Sequence, residues 1–285
     1  TDYFFGIQKG SKMFTCTDAG WINGHTYAIY GPLSCVGQTI ICEDLNRLSN
    51  PEILLKYVSE LDVSCLYMSV TLIRVLKSNF NESAGQKLLK NKLERIGSCG
   101  EPLADEIGKW AVEFFKPHRK AIVNSFFQTE TGGILAAPRD EDGAPNDYSS
   151  VGKPRKELGL FIAKDRLKNA ELEEEKIDPN EILLENFWKG LFQKVVSDRK
   201  VSYFTKKGYF RLFDVGYIDD NGYLFIGGRS DDVINTAGHR ISSSEIESIS
   251  LTIPSIRESC VVAHKDKILG EKPILFITLN ENEID

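Results

Sequence analysis

The stretch Ala121-Ile-Val-Asn124-Ser-Phe-Phe-Gln128-Thr-Glu-Thr-Gly-Gly133 decides how the fold is interpreted. Its apolar start is typical of a buried strand, and polar residues with paired glycines follow where that strand would end. In open α/β sheets, ligands bind beside the carboxyl ends of the strands. Residues 128–131 would present an amide, two hydroxyls and a carboxylate there, and the glycines would let the backbone approach a ligand closely. Taken alone, the stretch fits a strand that ends in an ordinary polar turn equally well.

The composition limits the classes of protein to consider. With 285 residues, the chain exceeds a typical domain of ~100–200 residues, which predicts two units or one large and one small unit. The net charge of −6 and the lack of basic runs argue against a nucleic-acid or membrane-surface partner. The longest nearly apolar run, residues 63–73, is about half the ~20 residues that cross a bilayer. No signal peptide is visible in residues 1–15, so we expect a cytoplasmic protein.

Six cysteines are widely spaced, and they include no C-x-x-C pair. The four histidines show no metal-binding spacing either. This pattern favours buried free thiols in a reducing compartment, with disulfides and zinc as the alternatives.

Strand and helix signals alternate over the first half of the chain. Asn50 and Pro51 mark a helix start, followed by a predicted buried face of Ile53, Leu54, Tyr57, Val58 and Leu61. A helix or a buried segment is predicted at residues 27–33. Further helices are predicted at residues 70–77 and around a face formed by Ile107, Trp110, Ala111 and Phe114. Strands are predicted at residues 12–17, 37–43, 63–68, 93–98 and 121–125. Strands separated by helices indicate βαβ units and a largely parallel sheet.

The pattern changes after Arg139. Shorter strands are predicted at residues 158–163 and 181–185, with a charge-rich, solvated segment at 164–181 between them. Asp219-Asp-Asn-Gly222 predicts a type I′ hairpin turn between strands at 209–218 and 223–226. A capping box, Ser242-x-x-Glu245, predicts a helix with Ile246 and Ile249 inward, before strands at 259–263 and 274–279.

The predicted fold class is therefore α/β, and we divide the chain into three parts. Residues 1–150 form a mostly parallel βαβ unit, and residues 151–230 a small antiparallel β unit belonging to the same large domain. Residues 231–285 begin a small α+β domain at the C-terminal side.

Four stretches, in order, carry a more specific signal: Asp18-Ala-Gly-Trp-Ile-Asn-Gly-His-Thr-Tyr-Ala-Ile-Tyr-Gly-Pro-Leu33, Gly97-Ser-Cys-Gly-Glu-Pro102, Phe127-Gln-Thr-Glu-Thr-Gly-Gly133 and residues 209–247. Together they resemble the adenylate-forming acyl-CoA synthetases, and within that family the acetyl-CoA synthetase branch. The resemblance covers nearly the whole chain and is weakest over residues 154–202.

The resemblance implies a two-step reaction with ATP/AMP, coenzyme A and Mg²⁺ as cofactors and a short-chain carboxylate as substrate. The carboxylate attacks the α-phosphate of ATP, which gives an acyl-adenylate and pyrophosphate. The thiol of coenzyme A then displaces AMP. Such a site must stabilise phosphate charge and exclude water from the anhydride.

The resemblance also implies nucleotide-binding residues. Gly100, Glu101 and Pro102 match the segment beside the adenine, unless they form an ordinary strand–helix junction. Residues 128–131 match a segment near the adenine and phosphates, contributed by Gln128, Thr129, Glu130 and Thr131. Within it Glu130 matches the acid that helps to hold Mg²⁺, an ion that prefers oxygen ligands.

Further nucleotide contacts are implied nearer the C-terminal end. Asp214 matches the acid that binds both ribose hydroxyls, although one extra residue precedes it and the usual glycine before it is replaced. Arg229 matches a ribose- and phosphate-side arginine, and Arg240 one that neutralises phosphate charge. Either arginine could instead be a surface residue. Glu130 and Arg240 are the residues for which a catalytic role is implied.

Other implied sites differ in detail from the family pattern. Phe126 and Phe127 replace a tryptophan pair at the acyl pocket, and Cys99 beside them replaces a valine. Asp231 matches the hinge of the small domain. Ala237 and Gly238 match positions that approach coenzyme A.

Two family elements have no counterpart in these 285 residues, namely a Ser/Thr/Gly-rich phosphate loop and a C-terminal lysine motif. A chain that lacks both is expected to have lost most adenylation activity. A second hypothesis is therefore a degenerate relative that binds nucleotide, or serves as an assembly module, without turnover. The particular acid and the oligomeric state stay open.

Overall fold

The computed structural model describes residues 1–79, 93–119, 121–143, 146–194, 196, 202–230, 232–237, 239–253 and 255–279. The chain divides into two compact units. The first comprises Thr1–Gly159, Asn186–Lys200 and Asp219–Phe225, and the second comprises Leu160–Glu185, Val201–Ile218 and Ile226–Asp285. The three-part division at residues 150 and 230 stays a prediction.

A parallel sheet forms the centre of the first unit, as the alternation of strands and helices predicts. Its strand order is β2-β1-β3-β4-β5, and each neighbouring pair is parallel. The strands are β1 (Lys12–Cys16), β2 (Gln38–Ile40), β3 (Cys65–Ser69), β4 (Arg95–Cys99) and β5 (Val123–Asn124). The edge strand β2 is shorter than predicted and partly exposed.

Helices connect these strands, and most of the predicted ones are present. They are α1 (Asp2–Phe5), α2 (Ile22–His25), a π-helix (Thr26–Tyr30), α3 (Gly31–Ser34), a 3-10 helix (Leu45–Ser49), α4 (Pro51–Glu60), α5 (Val70–Ser78) and α6 (Asp105–Phe115). Helix α2 occupies residues for which no helix is predicted. Asn50 caps α4 as predicted, because its Oδ1 accepts hydrogen bonds from the Glu52 and Ile53 amides. Leu61 is 43% exposed, against prediction, since the helix ends one residue before it.

The sheet is buried on both faces, as expected for a parallel sheet covered by connections. Alternate residues of each strand belong to different apolar clusters because side chains alternate across a strand. One cluster joins Phe14 and Leu66 to helices α4, α5 and α6. The other joins Met13 and Tyr67 to α1, the π-helix residue Tyr27 and the residues that follow β5. The segment after β5 is therefore packed on the second face.

The second unit contains most of a four-stranded sheet of order β6-β7-β8-β9. Its strands are β6 (Leu160–Ile162), β7 (Glu181–Leu184), β8 (Phe210–Ile218) and β9 (Leu224–Arg229), and the β6–β7 and β7–β8 pairs are antiparallel as predicted. Two helices, α7 (Ala163–Arg166) and α8 (Asn169–Glu175), lie in the charge-rich segment. That segment is more than a solvated face, because Leu167, Leu172 and Ile177 are buried in a cluster with Phe161 and Leu183.

The turn between β8 and β9 is not of type I′. Gly222 has a φ of 82°, whereas no positive φ occurs at Asp220 or Asn221. The Gly222 amide donates to the Asp219 carbonyl, 2.9 Å away, so a type I turn is followed by glycine in the left-handed conformation. The Asp219 carboxylate accepts hydrogen bonds from the Asn221 and Tyr223 amides and thereby stabilises this alternative.

A second antiparallel sheet, of order β11-β10-β13-β12, and one helix complete the second unit. The elements are β10 (Val233–Thr236), β11 (His239–Ser242), α9 (Ser243–Ser250), β12 (Ile256–Asp266) and β13 (Gly270–Leu279). Ser242 caps α9 by accepting from the Glu245 amide, as predicted. Ile249 is 63% exposed, so its predicted inward position is wrong. The inner face of α9 is polar: Glu247 accepts from the Val261 amide, and the Ser250 hydroxyl bonds that of Ser259.

All six cysteines are free thiols, as predicted, but only three of them are buried, and Cys35 and Cys42 are half-buried. Cys16, Cys65 and Cys99 are buried. Cys260 is exposed because it points to the side of β12 opposite Val261. None of the helices in the described part of the chain combines the length and apolar character needed to cross a membrane.

Candidate functional site

The loop after β5 keeps its shape through hydrogen bonds within the loop. Thr131 is fully buried, and its hydroxyl accepts from the Gln128 amide at 3.0 Å. The same hydroxyl bonds the carbonyls of Gln128 and Gly133. Thr131 therefore stabilises the conformation of the loop. Its neighbours are more accessible, since Thr129 is exposed and Gln128 and Glu130 are half-buried.

Contacts from distant parts of the first unit fix where this loop lies. The Thr26 hydroxyl donates to the Gly132 carbonyl at 3.0 Å, and the Tyr27 hydroxyl accepts from the Ile134 amide at 2.7 Å. The Phe192 amide donates to the Glu130 carbonyl at 2.8 Å. Sequence reasoning assigned no role to Thr26 or Tyr27, although both belong to the quoted stretch that ends at Leu33.

A second loop leaves the sheet beside the first. Strands β4 and β5 are neighbours in parallel register, with Ser98 opposite Asn124, so the residues after both strands emerge at the same edge. Gly100 is exposed with a φ of 89°, and no atom lies within 4 Å of the place a Cβ would occupy. Glu101 forms an ion pair with Arg74, 2.8 Å away, and accepts from the Thr71 hydroxyl. The structure thus brings together the two predicted nucleotide-binding loops of the first unit and leaves the Gly100 backbone open. Pro102, the last predicted residue of this loop, is exposed.

Cys99 and Phe127, two of the three residues predicted for the acyl pocket, lie on the second face of the sheet. Cys99 is buried in the cluster that contains Tyr27 and Tyr67, and Phe127 packs edge-on against Tyr27 with the ring centroids 5.6 Å apart. Burial raises the pKa of the Cys99 thiol to about 12. Phe126 is buried too, and its backbone pairs with that of Ala136.

Asn23 is a further residue at this position that sequence reasoning missed. It is only 6% exposed, and its Nδ2 donates to the Cys99 sulfur at 3.2 Å. Because the Cys99 thiol in turn donates to the Met68 carbonyl, the amide orientation of Asn23 follows from the network. Its Oδ1 is buried without a hydrogen-bond partner. The only signal in the sequence was its place within the stretch that begins at Asp18.

A cavity of about 530 Å³ opens at the other end of the same sheet edge. It lies at the carboxyl ends of β1 and β2. Its lining includes Thr17, Asp18, Gly24, Ile41, Glu43 and Asn46.

In the second unit, Asp214 and Arg229 are neighbours. Asp214 is buried, and its Oδ1 lies 3.9 Å from Nη1 of Arg229, which also donates to the Leu212 carbonyl at 3.2 Å. The residue before Asp214, Phe213, has a φ of 56°. The pairing of β7 with β8 shifts register across this point, so β8 absorbs extra length there as a bulge. Phe213 thus adopts the left-handed backbone conformation that glycine usually occupies.

The remaining predicted site residues lie between residues 231 and 240. Asp231, Gly238 and the side chain of Arg240 lie outside the described residues, so their roles stay predictions. Ala237 has a φ of 49°, and its amide donates to the Leu269 carbonyl at 2.8 Å.

The described residues also bear on the predicted Mg²⁺ site. Among them, no three His, Cys, Asp or Glu side chains form a group that could hold a metal ion. Mg²⁺ is commonly bound by one or two carboxylates together with substrate phosphates. A single half-buried carboxylate, Glu130, is compatible with that mode of binding.

A family model described as AMP-binding enzyme matches residues 1–176. The chain belongs to this AMP-binding enzyme family, which confirms the family predicted from the four stretches. Among curated relatives, it is 34% identical over 286 residues to the acetyl-coenzyme A synthetase of Vibrio vulnificus and 36% identical over 287 residues to that of Vibrio parahaemolyticus. Each alignment covers 99% of this chain but only 43% of the relative.

Solved structures agree on the fold. The chain superposes on the anthranilate CoA ligase AuaEII in complex with anthranoyl-AMP, with a TM-score of 0.77 and 19% identity, over 100% of this chain and 52% of that one. ATP-bound MatB from Rhodopseudomonas palustris gives a TM-score of 0.77 at 19% identity, with 53% of that chain covered. The fold is therefore that of about half of an adenylate-forming ligase.

Proposed function

We propose that the intact protein to which these residues belong converts a short-chain carboxylate, acetate or a slightly larger acid, to its acyl-CoA. The main support is the meeting of two loops, after β4 and after β5, at the carboxyl edge of the parallel sheet. One loop presents an open glycine backbone at Gly100, and the other presents the Glu130 carboxylate. The acetyl-coenzyme A synthetases among the relatives support the same reaction class.

In the proposed first step, a carboxylate oxygen of the acid forms a bond to the α-phosphorus of ATP. The bond between this phosphorus and the bridging oxygen breaks, and pyrophosphate leaves. A bound Mg²⁺ would neutralise phosphate charge. Glu130 would hold that ion together with the phosphates, while Arg229 and Arg240 would stabilise negative charge on the phosphate oxygens.

In the proposed second step, the thiol of coenzyme A loses its proton to solvent and its sulfur bonds to the acyl carbon. The bond between that carbon and the phosphate oxygen breaks, and AMP leaves. Asp214 would hold the AMP ribose by accepting hydrogen bonds from its two hydroxyls. The buried position of Asp214, with its carboxylate 3.9 Å from the Arg229 guanidinium, supports this role.

The proposed acid is small because the predicted pocket has bulky walls. Phe127 packs against Tyr27, and Cys99 is enclosed by Asn23 and Tyr67 in the same cluster. One methylene in such a pocket changes binding by only ~1–3 kcal/mol, so acids that differ by one carbon should compete.

The test is carboxylate-dependent exchange of labelled pyrophosphate into ATP by the intact protein, with acetate, propanoate and butanoate. We expect exchange with at least one acid. We also expect a loss of 100-fold or more in Glu130→Gln, on the order of the loss when one charge-stabilising group is removed. Glu113→Gln, on the exposed side of α6, is the matched control and should keep full exchange.

Two results would contradict the proposal. If ATP binds but no short acid supports exchange, the protein is a nucleotide-binding module without turnover. If Glu130→Gln and Glu113→Gln exchange equally well, Glu130 has no metal role.

A further inference from the structure

The segment from Asn186 to Phe192, here called the strap, contains none of the residues predicted for the site. It belongs to the first unit, and it follows β7 in the part of the chain where the family resemblance is weakest. Most of its residues are exposed, and within the strap only Leu191 is buried. Trp188 and Phe192 are half-buried, so apolar packing and polar contacts both hold the strap, and the polar contacts show which part of the first unit it holds.

The strap is attached to the rest of the first unit at both ends. At the first end, the Asn186 amide donates to the Leu158 carbonyl, and the Asn186 side chain donates to the Glu157 carbonyl, each at 3.0 Å. At the other end, the Phe192 amide donates to the Glu130 carbonyl at 2.8 Å. The second attachment is to the main chain of the predicted metal ligand.

Between these ends the strap touches the same loop at a pair of glycines. A Cβ on Gly132 would lie 2.5 Å from the Gly190 carbonyl oxygen, so the two backbones are in direct contact. Gly190 lies in a short turn closed by the Leu191 amide, which donates to the Trp188 carbonyl at 3.0 Å. A Cβ on Gly190 would meet the Trp188 indole at 2.6 Å. Larger residues at either glycine would push the strap and the loop apart.

We propose that the strap positions the Glu130–Gly132 main chain for adenylation, with Phe192 as a positioning residue that acts through Glu130. The hydrogen bonds of Thr131 define the shape of the loop, but they lie within it and cannot place it relative to the sheet. The Glu130 carboxylate is carried on a backbone whose carbonyl the strap holds. This inference rests on the proposed function for its consequence in catalysis, but the contact itself can be tested separately.

The test uses Phe192→Pro in the intact protein, because proline has no N–H and cannot donate to Glu130. Phe192→Ala is the matched control, since it removes the ring and keeps the amide. A misplacement of about 1 Å can cost 10²-fold in rate. We therefore expect Phe192→Pro to lower kcat of pyrophosphate exchange by about 10- to 100-fold and to raise the Mg²⁺ concentration that gives half the maximal rate. The KM for the carboxylate should stay unchanged, and Phe192→Ala should stay within about threefold of wild type.

Hydrogen–deuterium exchange of a peptide that covers residues 128–133 gives a readout independent of turnover. We expect faster exchange in Phe192→Pro than in Phe192→Ala. Asn186→Ala, which loosens the opposite end of the strap, should give a smaller change of the same sign and serves if the proline variant does not fold. Equal deuterium uptake in all variants would overturn the proposal, even if the wild type catalyses no exchange of pyrophosphate. An inactive wild type with the expected uptake pattern would instead contradict the proposed function alone.

Discussion

The loop after β5 and the bulge in β8 reach similar backbone conformations by different means. Each carries an acidic residue predicted to serve the nucleotide, Glu130 in one and Asp214 in the other. The loop uses glycine for its left-handed residue, Gly132 with a φ of 66°. The bulge uses Phe213 with a φ of 56°, a conformation that costs a residue with a side chain ~1–2 kcal/mol.

Packing around the bulge compensates for this cost. The Arg211 guanidinium lies 4.6 Å from the centre of the Phe213 ring, and Tyr203 packs edge-on against it at 5.8 Å. The Ser230 amide donates to the Phe213 carbonyl at 2.7 Å. A left-handed residue at a site can thus be stabilised either by the choice of glycine or by the packing around a larger residue. The two regions should therefore respond differently to substitution.

The largest effect is expected at the ion pair that flanks the bulge. Glu181 is fully buried and bonds Arg211 through two contacts of 2.8 Å. Glu181→Ala leaves the arginine charge largely buried without this partner, which should lower the free energy of unfolding by ~3–5 kcal/mol. Glu174→Ala breaks an exposed pair with Lys206 and should change it by less than ~1 kcal/mol. Urea unfolding of both variants checks this, and equal losses would mean that the bulge does not depend on the buried pair.

A smaller loss is expected in the loop after β5. Gly132→Ala combines an unfavourable φ with contact against the Gly190 carbonyl, so it should lower the free energy of unfolding by ~3 kcal/mol. Gly133→Ala is the control, because the nearest atom to its Cβ is the Tyr27 hydroxyl at 3.7 Å and its φ is not positive. Denaturant midpoints compare the two. A tolerated Gly132→Ala would show that the loop can move away from the strap.

The two units should also differ in their response to pH. Burial raises the pKa of Cys65 and of Cys99 to about 12, against an ordinary thiol value of ~8.5. Above that ordinary value the unfolded thiols lose protons that the folded ones keep, so stability falls as pH rises towards 12. From pH 8.5 to 9.5 we expect a loss of ~1 kcal/mol per thiol.

The measurement is the pH dependence of urea unfolding. A Cys65→Ala/Cys99→Ala double variant should show a shallower fall over this pH range than wild type. Cys260→Ala, which removes the exposed thiol of the second unit, should leave the slope unchanged. A double variant with the wild-type slope would mean that these thiols do not carry the effect.

The smallest effect concerns the bulge residue itself. Phe213→Ala and Phe213→Gly both remove the ring, but only glycine relieves the left-handed strain. We therefore expect the glycine variant to be more stable than the alanine variant by ~1 kcal/mol, measured by thermal or urea unfolding. The reverse order would indicate that the backbone at this residue relaxes in the alanine variant.

Local signals in the sequence were sufficient for the five strands of the parallel sheet, the caps at Asn50 and Ser242, and the family, whereas α7, α8, β10 and β11 were not predicted. These signals act within a few residues: an apolar period, a capping side chain, a glycine after a strand. They fail where two local conformations, such as two turn types or two orientations of a helix, are close in free energy. The Asp219–Gly222 turn is of type I because the Asp219 carboxylate bonds the turn amides, and α9 presents Glu247 and Ser250 to β12 because polar partners there outweigh an isoleucine face.

The tertiary fold was needed to place the loop after β5. The sequence alone predicted a loop there, from its polar residues and from the glycines that let it turn. Its position depends on Thr26, Tyr27 and Phe192, which lie about 60 to 110 residues away along the chain from the groups they bond. Contacts over such distances follow from the path of the whole chain and the packing of both sheet faces, which no pattern of neighbouring residues encodes. Thr131, an apparent ligand group in the sequence, instead has its hydroxyl bonded within the loop.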